Sequence, residues 1–195
     1  CLNNPGDFFQ TVGNNHHTII EFKNKYYIFY HAEWLNKAAY GEMLGYRTTH
    51  VDVMPLNGEK FGDAKGTLTG VEQVGEVDPY TENNANTFAW QGGIQINGNG
   101  DTNPVYNKGA WTGVAGVNFS KGAKSVTIMG GSKSGATVRI SSESPSGPVI
   151  GYVSIPNTGD NTKFQEATAE VTVTGKQNIF FTASGECGLK TFKFS

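Results

Sequence analysis

Trp111-Thr-Gly-Val-Ala-Gly-Val-Asn-Phe119, the polar pair Lys121-Gly122, and Ala123-Lys-Ser-Val-Thr-Ile-Met129 decide the fold. Both runs are rich in β-branched and aromatic residues, and the pair between them is turn chemistry. Toward the C-terminus the pattern repeats at Thr137 to Ser141, Val149 to Ile155, Phe164 to Val173, Asn178 to Ala183 and Leu189 to Phe194. Turns such as Ser146-Gly147-Pro148 and Thr174-Gly175 close the strands. Seven short strands at this spacing predict an antiparallel jelly-roll β-sandwich of about 115 residues.

Toward the N-terminus the spacing changes at Asp78-Pro79 and an Asn-rich stretch ending at Asn86, a seam that divides the chain into residues 1–76 and 77–195. Upstream, His17 to Phe22 and Lys25 to His31 form a hairpin candidate joined at Lys23-Asn24. Tyr46 to Met54 is a third strand, followed by Asn57-Gly58, and Leu68 to Val74 is a fourth. One helix is expected around Trp34 to Leu44, where Leu35, Ala38, Ala39 and Met43 recur at helical spacing around Gly41. About four strands amount to one propeller blade, which cannot bury both faces alone. The fold class is therefore all-β: a partial β-propeller blade followed by the sandwich.

Composition sets outer limits. Gly accounts for 26 of 195 residues and charged residues for 16%, a profile that disfavours a coiled coil. Hydrophobic residues at 37%, with Gly added, supply enough apolar material for a packed core. Fifteen basic and seventeen acidic side chains give a net charge of −2 with no basic stripe, so neither nucleic acid nor a membrane surface is an expected partner. No run approaches the ~18 apolar residues that a membrane helix needs. Cys1 replaces an initiator Met and no leader precedes it, so a processed chain or a fragment is expected. Cys1 and Cys187 fit no metal-knuckle spacing.

The densest cluster of potential site residues is Gly13-Asn14-Asn15-His16-His17. Adjacent side chains on an extended chain point to opposite faces, so at most one of the two histidines lines a given cavity. His16 would orient a metal-bound water or a carboxylate, with His17 packed beneath it; the plainer reading is a solvated polar loop. Glycosidic hydrolysis needs two opposed carboxyl groups. Asp7, Glu21, Glu33 and Asp52 form no such pair, and most read as solvated surface charges. No Gly-x-Ser-x-Gly elbow or phosphate loop is present either, so no catalytic residue is assigned.

Asn4-Pro5-Gly6-Asp7-Phe8-Phe9, Gly13 to Thr18, Lys25 to His31 and Gly45 to Asp52, in that order, resemble the last blade of glycoside hydrolase family 43. That family is a five-bladed propeller that releases arabinose or xylose from arabinoxylans and arabinans by inversion. The resemblance implies that the carboxylates of catalysis lie on earlier, missing blades. It also implies that His16 is an active-site support near the propeller axis, often associated with a calcium ion. Residues 84–90 with Gly93-Ile94-Gln95, 109–111 with 116–119, 144–151 and 155–159 resemble carbohydrate-binding module family 6.

In that second family a Glu-Ala-Glu motif contributes to a structural calcium site; here Asn84-Ala85-Asn86 stands in its place and would hold the ion more weakly. The family's principal cleft stacks a sugar between two aromatics. The first falls on Val105 or Tyr106, depending on register, and the second on Asn161. Asn97 occupies a position that often carries a sugar-binding carboxylate. Trp111 has two readings, a ring in the core or part of a second surface site on the sheet; Phe164, Phe180 and Phe181 read as core. The carbohydrate-binding set is then Asn97, Tyr106, Trp111 and Asn161, and the metal set is His16, Asn84 and Asn86.

Together these implications describe the C-terminal part of a secreted or cell-surface hemicellulose-degrading glycosidase of bacterial type. Its partners would be xylan, arabinoxylan or arabinan and the missing blades. A non-catalytic xylan-binding protein is the alternative.

Overall fold

The computed structural model describes residues 15–43, 45, 47–96 and 103–195, which form two compact units, one ending at Glu72 and the other spanning Gln73–Ser195.

In the first unit, β1 (His17–Phe22), β2 (Lys25–Ala32) and β3 (Thr48–Met54) make an antiparallel sheet in that order. Lys23 and Asn24 both take positive φ, 49° and 61°, which is what a tight two-residue hairpin turn of matching twist demands. The helix α1 (Trp34–Tyr40) stops where Gly41 enters the left-handed region at φ 80° and donates its N–H to the Lys37 carbonyl. Asn57-Gly58 turns a small hairpin between β4 (Leu56–Asn57) and β5 (Lys60–Phe61). Ile28, Tyr30, Ala32, Met54 and Ala64 form the buried core on one face of the sheet, with Ile19, Tyr26 and Trp34 packed against it.

Two expectations fail in this unit for one reason. Residues 68–74 form no strand, and Asp52 is not solvated but 3% exposed. The Asp52 carboxylate accepts hydrogen bonds from the Tyr30 hydroxyl at 2.7 Å, the Thr67 amide at 3.1 Å and the Thr67 hydroxyl at 2.5 Å. Thr67 Oγ1 in turn accepts the Gly70 N–H. A buried carboxylate is stable only with such donors, and here they hold the chain at Thr67–Gly70 in a bonded turn beside β3 instead of a strand.

The second unit holds β6 (Asn83–Asn84), β7 (Trp90–Ile96), β8 (Pro104–Gly131), β9 (Ala136–Ser142), β10 (Val149–Ile155), β11 (Gln165–Ala183) and β12 (Cys187–Phe194). Their order is β10-β9-β11-β8-β12-β6, with β7 paired to β8. The turns expected at Lys121-Gly122 and Thr174-Gly175 are bends within two long strands. There Gly122 and Gly175 take φ of 72°, a conformation that side chains other than glycine rarely adopt. The N-terminal half of β8 (Trp111 to Phe119) pairs with the C-terminal half of β11, and Ala123 to Gly130 pairs with its N-terminal half. Each long strand therefore crosses from one layer of the sandwich to the other.

Between the layers lies one continuous core that includes Val114, Phe119, Ile128, Ile140, Val153, Ile179, Phe181 and Phe194. The segment before β6 belongs to this unit. Gln73 donates to the Ala115 carbonyl, and the Val77 N–H and C=O pair with Gly116 and Asn118.

Candidate functional site

Strand register assembles two rows of side chains on the outer face of the layer made by β7, β8, β11, β9 and β10. Directly opposed residues share a face. One row therefore runs Gly92, Trp111, Thr182, Arg139, Tyr152, and the next runs Trp90, Gly113, Phe180, Ser141, Val149. The inward neighbours Ala110, Thr112, Val138, Ile140 and Phe181 are all buried.

Three rings gather at one end of these rows. Trp90 stacks on Phe180 with centroids 5.9 Å apart and planes at 13°, and Trp111 meets the same Phe180 at 5.9 Å and 58°. Glycines make the arrangement possible. A Cβ at Gly92 would come within 2.5 Å of Trp111 Nε1, and one at Gly113 within 2.5 Å of Phe180 Cε1 and 3.0 Å of Trp90 Cε3. The rings lie down over bare backbone, and Trp90 remains 44% exposed. A flat, half-exposed aromatic surface offers a hydrophobic contact to the face of another ring-shaped, C–H-rich molecule.

Trp111 is thus not core: it is half-buried on the outer face, outside the cluster between the layers. Phe180 is buried, but beneath Trp90 and Trp111 rather than among the residues around Phe181, and Phe164 is only half-buried.

The residues expected to build the principal cleft are placed otherwise. Tyr106 is fully buried, its hydroxyl 2.7 Å from Thr112 Oγ1, and burial pushes its pKa far above the usual phenol value. Val105 is 6% exposed, so neither register offers a platform. The physical reason is that β8 begins at Pro104, which puts both residues inside a paired strand rather than in a loop. Asn161, 7% exposed, is engaged within the protein: Oδ1 accepts the Lys133 N–H at 3.3 Å and Nδ2 donates to Glu186 Oε1. Asn97 lies outside the described residues.

Asn84 and Asn86 are exposed, and the Asn84 carbonyl accepts the Thr87 N–H at 3.0 Å. Amide and carbonyl oxygens bring no charge to a divalent ion, and among the described residues no three His, Cys, Asp or Glu side chains come together. The calcium donor set is poor.

In the first unit His16 pairs with His31, a partner that sequence spacing did not suggest. The His16 N–H donates to His31 Nε2 at 3.0 Å, and the ring nitrogen Nδ1 of His16 lies 3.1 Å from the same atom. Accepting there fixes the proton of neutral His31 on Nδ1, which is buried without a partner among the described residues. His31 titrates below the ordinary histidine value because of desolvation, with the positive charge of Arg47 and then His16 adding to the effect. His17 is exposed on β1 rather than packed beneath His16.

Known proteins give these geometries a context. The profile for the carbohydrate binding module (family 6) matches residues 84–195. An arabinoxylan arabinofuranohydrolase of Paenibacillus polymyxa is 33% identical over 202 residues, covering 96% of this chain and 32% of that protein. A crystal structure of a glycoside hydrolase family 43 arabinoxylan arabinofuranohydrolase from Bacillus subtilis, in complex with cellotetraose, superposes with TM-score 0.85. It is 30% identical, with 100% of this chain and 43% of that chain covered. A family 6 module from Clostridium cellulolyticum in complex with xylose gives TM-score 0.57 at 26% identity, covering 61% of this chain and 99% of that one. This chain spans less than half the length of two curated relatives it matches, 32% of the Paenibacillus polymyxa protein and 40% of an arabinoxylan arabinofuranohydrolase of Bacillus subtilis (strain 168).

Proposed function

The chain belongs to carbohydrate-binding module family 6 through residues 84–195, and from that membership we propose that the second unit holds a plant cell-wall polysaccharide for a hydrolase of which the first unit is a part. The whole protein is then a hemicellulose-acting glycosidase of arabinofuranosidase type, and xylan or arabinoxylan is the polymer bound. The observation that carries the reading is the aromatic cluster of Trp90 and Trp111 over the buried Phe180, bedded on Gly92 and Gly113, with Trp90 exposed and Trp111 half-buried. Weakly polar rings of this kind suit the C–H faces of sugars, and the principal-cleft positions Tyr106 and Asn161 are buried or engaged. Carbohydrate is therefore held on the outer sheet face.

Among the described carboxylates of the first unit, Asp52 is locked by three donors and Glu21 is exposed beside the Tyr26 hydroxyl, so in this reading the catalytic site of the whole protein takes neither as its acid or base. His16, paired with His31, supports that site rather than reacting in it. Calcium at Asn84 and Asn86, where it binds, is structural and weak. An insoluble polymer outside the cell requires a secreted or surface-held protein, and no helix among the described residues is long and apolar enough to cross a membrane.

A pull-down on insoluble arabinoxylan tests the reading. The chain should bind, and Trp111→Ala should lower affinity about tenfold, the equivalent of ~1.4 kcal/mol of lost ring contact. Equal binding by the variant and the wild type would remove the aromatic face from the function.

A further inference from the structure

The sheet row that starts at Trp111 does not end with the aromatic cluster. It continues across three strand intervals to Tyr152, whose side chain is on the same outer face and whose residue is 56% exposed on the edge strand β10. We infer that Tyr152 is a second ring-stacking position for the same carbohydrate, so that an oligosaccharide lies across the strands from Trp111 to Tyr152. This inference rests on the carbohydrate-binding reading above and extends it by naming the ligand's length and direction.

Three features of the row support it. First, adjacent strands lie about 4.8 Å apart, so three intervals cover roughly 14 Å, the length of about three linked sugar rings. Second, no tall side chain stands free between the two rings. Thr182 and Arg139, both half-buried, occupy the middle of the row, and Arg139 is drawn aside to the Pro145 and Gly147 carbonyls.

Third, the row has a built wall. Arg139 donates to the carbonyls of Pro145 and Gly147, the latter at 2.5 Å, and Ser141 Oγ donates to the Ser144 carbonyl at 2.8 Å. These bonds hold loop 143–148 over the Ser141 position, beside the row and in line with the Trp90–Phe180 stack. On the other side of the row lie the small hydroxyl residues Thr137, Ser154 and Ser184, with the Thr137 N–H on Ser184 Oγ. The result is a strip of sheet with a ring at each end, hydroxyl residues along one border and loop 143–148 along the other.

The test is a chain-length series by titration calorimetry on the full chain, using β-1,4-linked xylo- and cello-oligosaccharides of two to six rings. Wild-type affinity should rise with length and level off near four rings. Tyr152→Ala should remove that rise, about tenfold for the four-ring ligand, and leave the two-ring affinity unchanged, while Tyr152→Phe keeps the rise. Tyr152→Leu, which retains bulk on a strand position but has no flat ring, should behave like Tyr152→Ala and guards against a folding defect in the smaller variant. A Tyr152→Ala chain that melts like wild type and follows the wild-type length series would overturn the inference, leaving the platform at Trp111 intact. Absence of any binding by the wild type to either series, or full binding by Trp111→Ala, would overturn the underlying reading and this extension together.

Discussion

Both units leave large apolar side chains on the outside of a sheet, and the chemistry of those side chains separates what each face is for. In the first unit Ile20, Phe22 and Val53, exposed by 47%, 52% and 50%, share a face with Phe29 opposite the small core of Ile28, Tyr30 and Met54. Two of the four are aliphatic and two are phenylalanines, and among the described residues no glycine beds their rings. In the second unit the exposed face carries Trp90 and Tyr152, and the rings around Trp90 are laid flat by Gly92 and Gly113. An apolar sheet face without laid-down rings gains from permanent cover by another layer, whereas a flat aromatic face suits a ligand that comes and goes. On the reading proposed above, the first face belongs to folding and the second to recognition.

The sharpest way to break this comparison is to separate the units. Residues 73–195 enclose a continuous core between two layers, while the three-strand sheet of the first unit buries one face only. A sheet of that size is marginal unless its hydrophobic face is packed. Residues 73–195 expressed alone should melt cooperatively, and residues 1–72 alone should show no cooperative transition by calorimetry. A cooperative melt for the shorter piece would mean that its exposed apolar face needs no cover.

A point substitution sharpens the same contrast. Asp52→Ala leaves the Tyr30 hydroxyl and the Thr67 amide without their acceptor, at a cost of about 2–3 kcal/mol to the first unit. Amide exchange should show early loss of protection around residues 67–70 and in β3, with β8 and β11 unchanged. Uniform loss across both units would show that they unfold as one.

Much of this architecture is legible in the chain. Lys23-Asn24 reads as a two-residue turn because both residue types tolerate a reversal, and Lys121-Gly122 and Thr174-Gly175 read as breaks because glycine permits the left-handed backbone. What those pairs cannot reveal is whether the chain reverses or only bends. Here the ladder between β8 and β11 continues on both sides of each pair, a long-range fact. β7 escapes notice because Gly92-Gly93 interrupts its pattern, yet the interruption is what makes room for Trp111. Of the two readings of Trp111, the outward one holds because which face a strand residue takes depends on register, while Tyr106 is no platform because β8 begins before it, at Pro104. His31 beside His16 and Thr67 on Asp52 are contacts across 15 residues that no local pattern encodes.

Acid should act on one unit before the other. All four histidines, at positions 16, 17, 31 and 50, lie in the first unit. His31 and His50 both titrate below the ordinary value, His31 through desolvation, Arg47 and His16, and His50 through desolvation that Thr67 and Asp52 partly offset. A histidine whose pKa is depressed by folding binds its proton more readily when unfolded. Its stabilising contribution is therefore complete above about pH 6.5 and is lost as the pH falls toward the folded pKa. In the second unit the depressed groups are the carboxylates Glu76, bonded by Asn118 and Lys176, and Asp160, bonded by Thr162. Their contribution persists until the pH falls below the ordinary carboxylate range. Amide exchange at pH 7.5 and 5.5, corrected for intrinsic rates, should show protection falling in β2 and β3 but not in β8, β11 or β12. Equal loss in the sandwich strands would refute the assignment.

The smallest effect concerns calcium, and it bears on whether the second unit needs anything beyond its own core. A ligand that binds only the native state stabilises it by RT ln(1 + [L]/Kd), so a tight site would raise the melting temperature steeply with calcium concentration. The positions expected to hold the ion offer Asn84 and Asn86, both neutral, and calcium affinity follows the number of charged ligands. β6 is held without it, through the pairing of Asn83 and Asn84 with Phe192 and Thr191 and the Ala85 N–H on the Lys190 carbonyl at 2.8 Å. Adding millimolar calcium, or removing it with a chelator, should therefore move the melting temperature of residues 73–195 by no more than about 2 °C, equivalent to well under 1 kcal/mol. Restoring carboxylates with Asn84→Glu and Asn86→Glu together should create a calcium-dependent rise in melting temperature, because the backbone around both positions is already paired. A large chelator-induced drop in the unaltered chain would place a charged ligand at this edge that the described residues do not show.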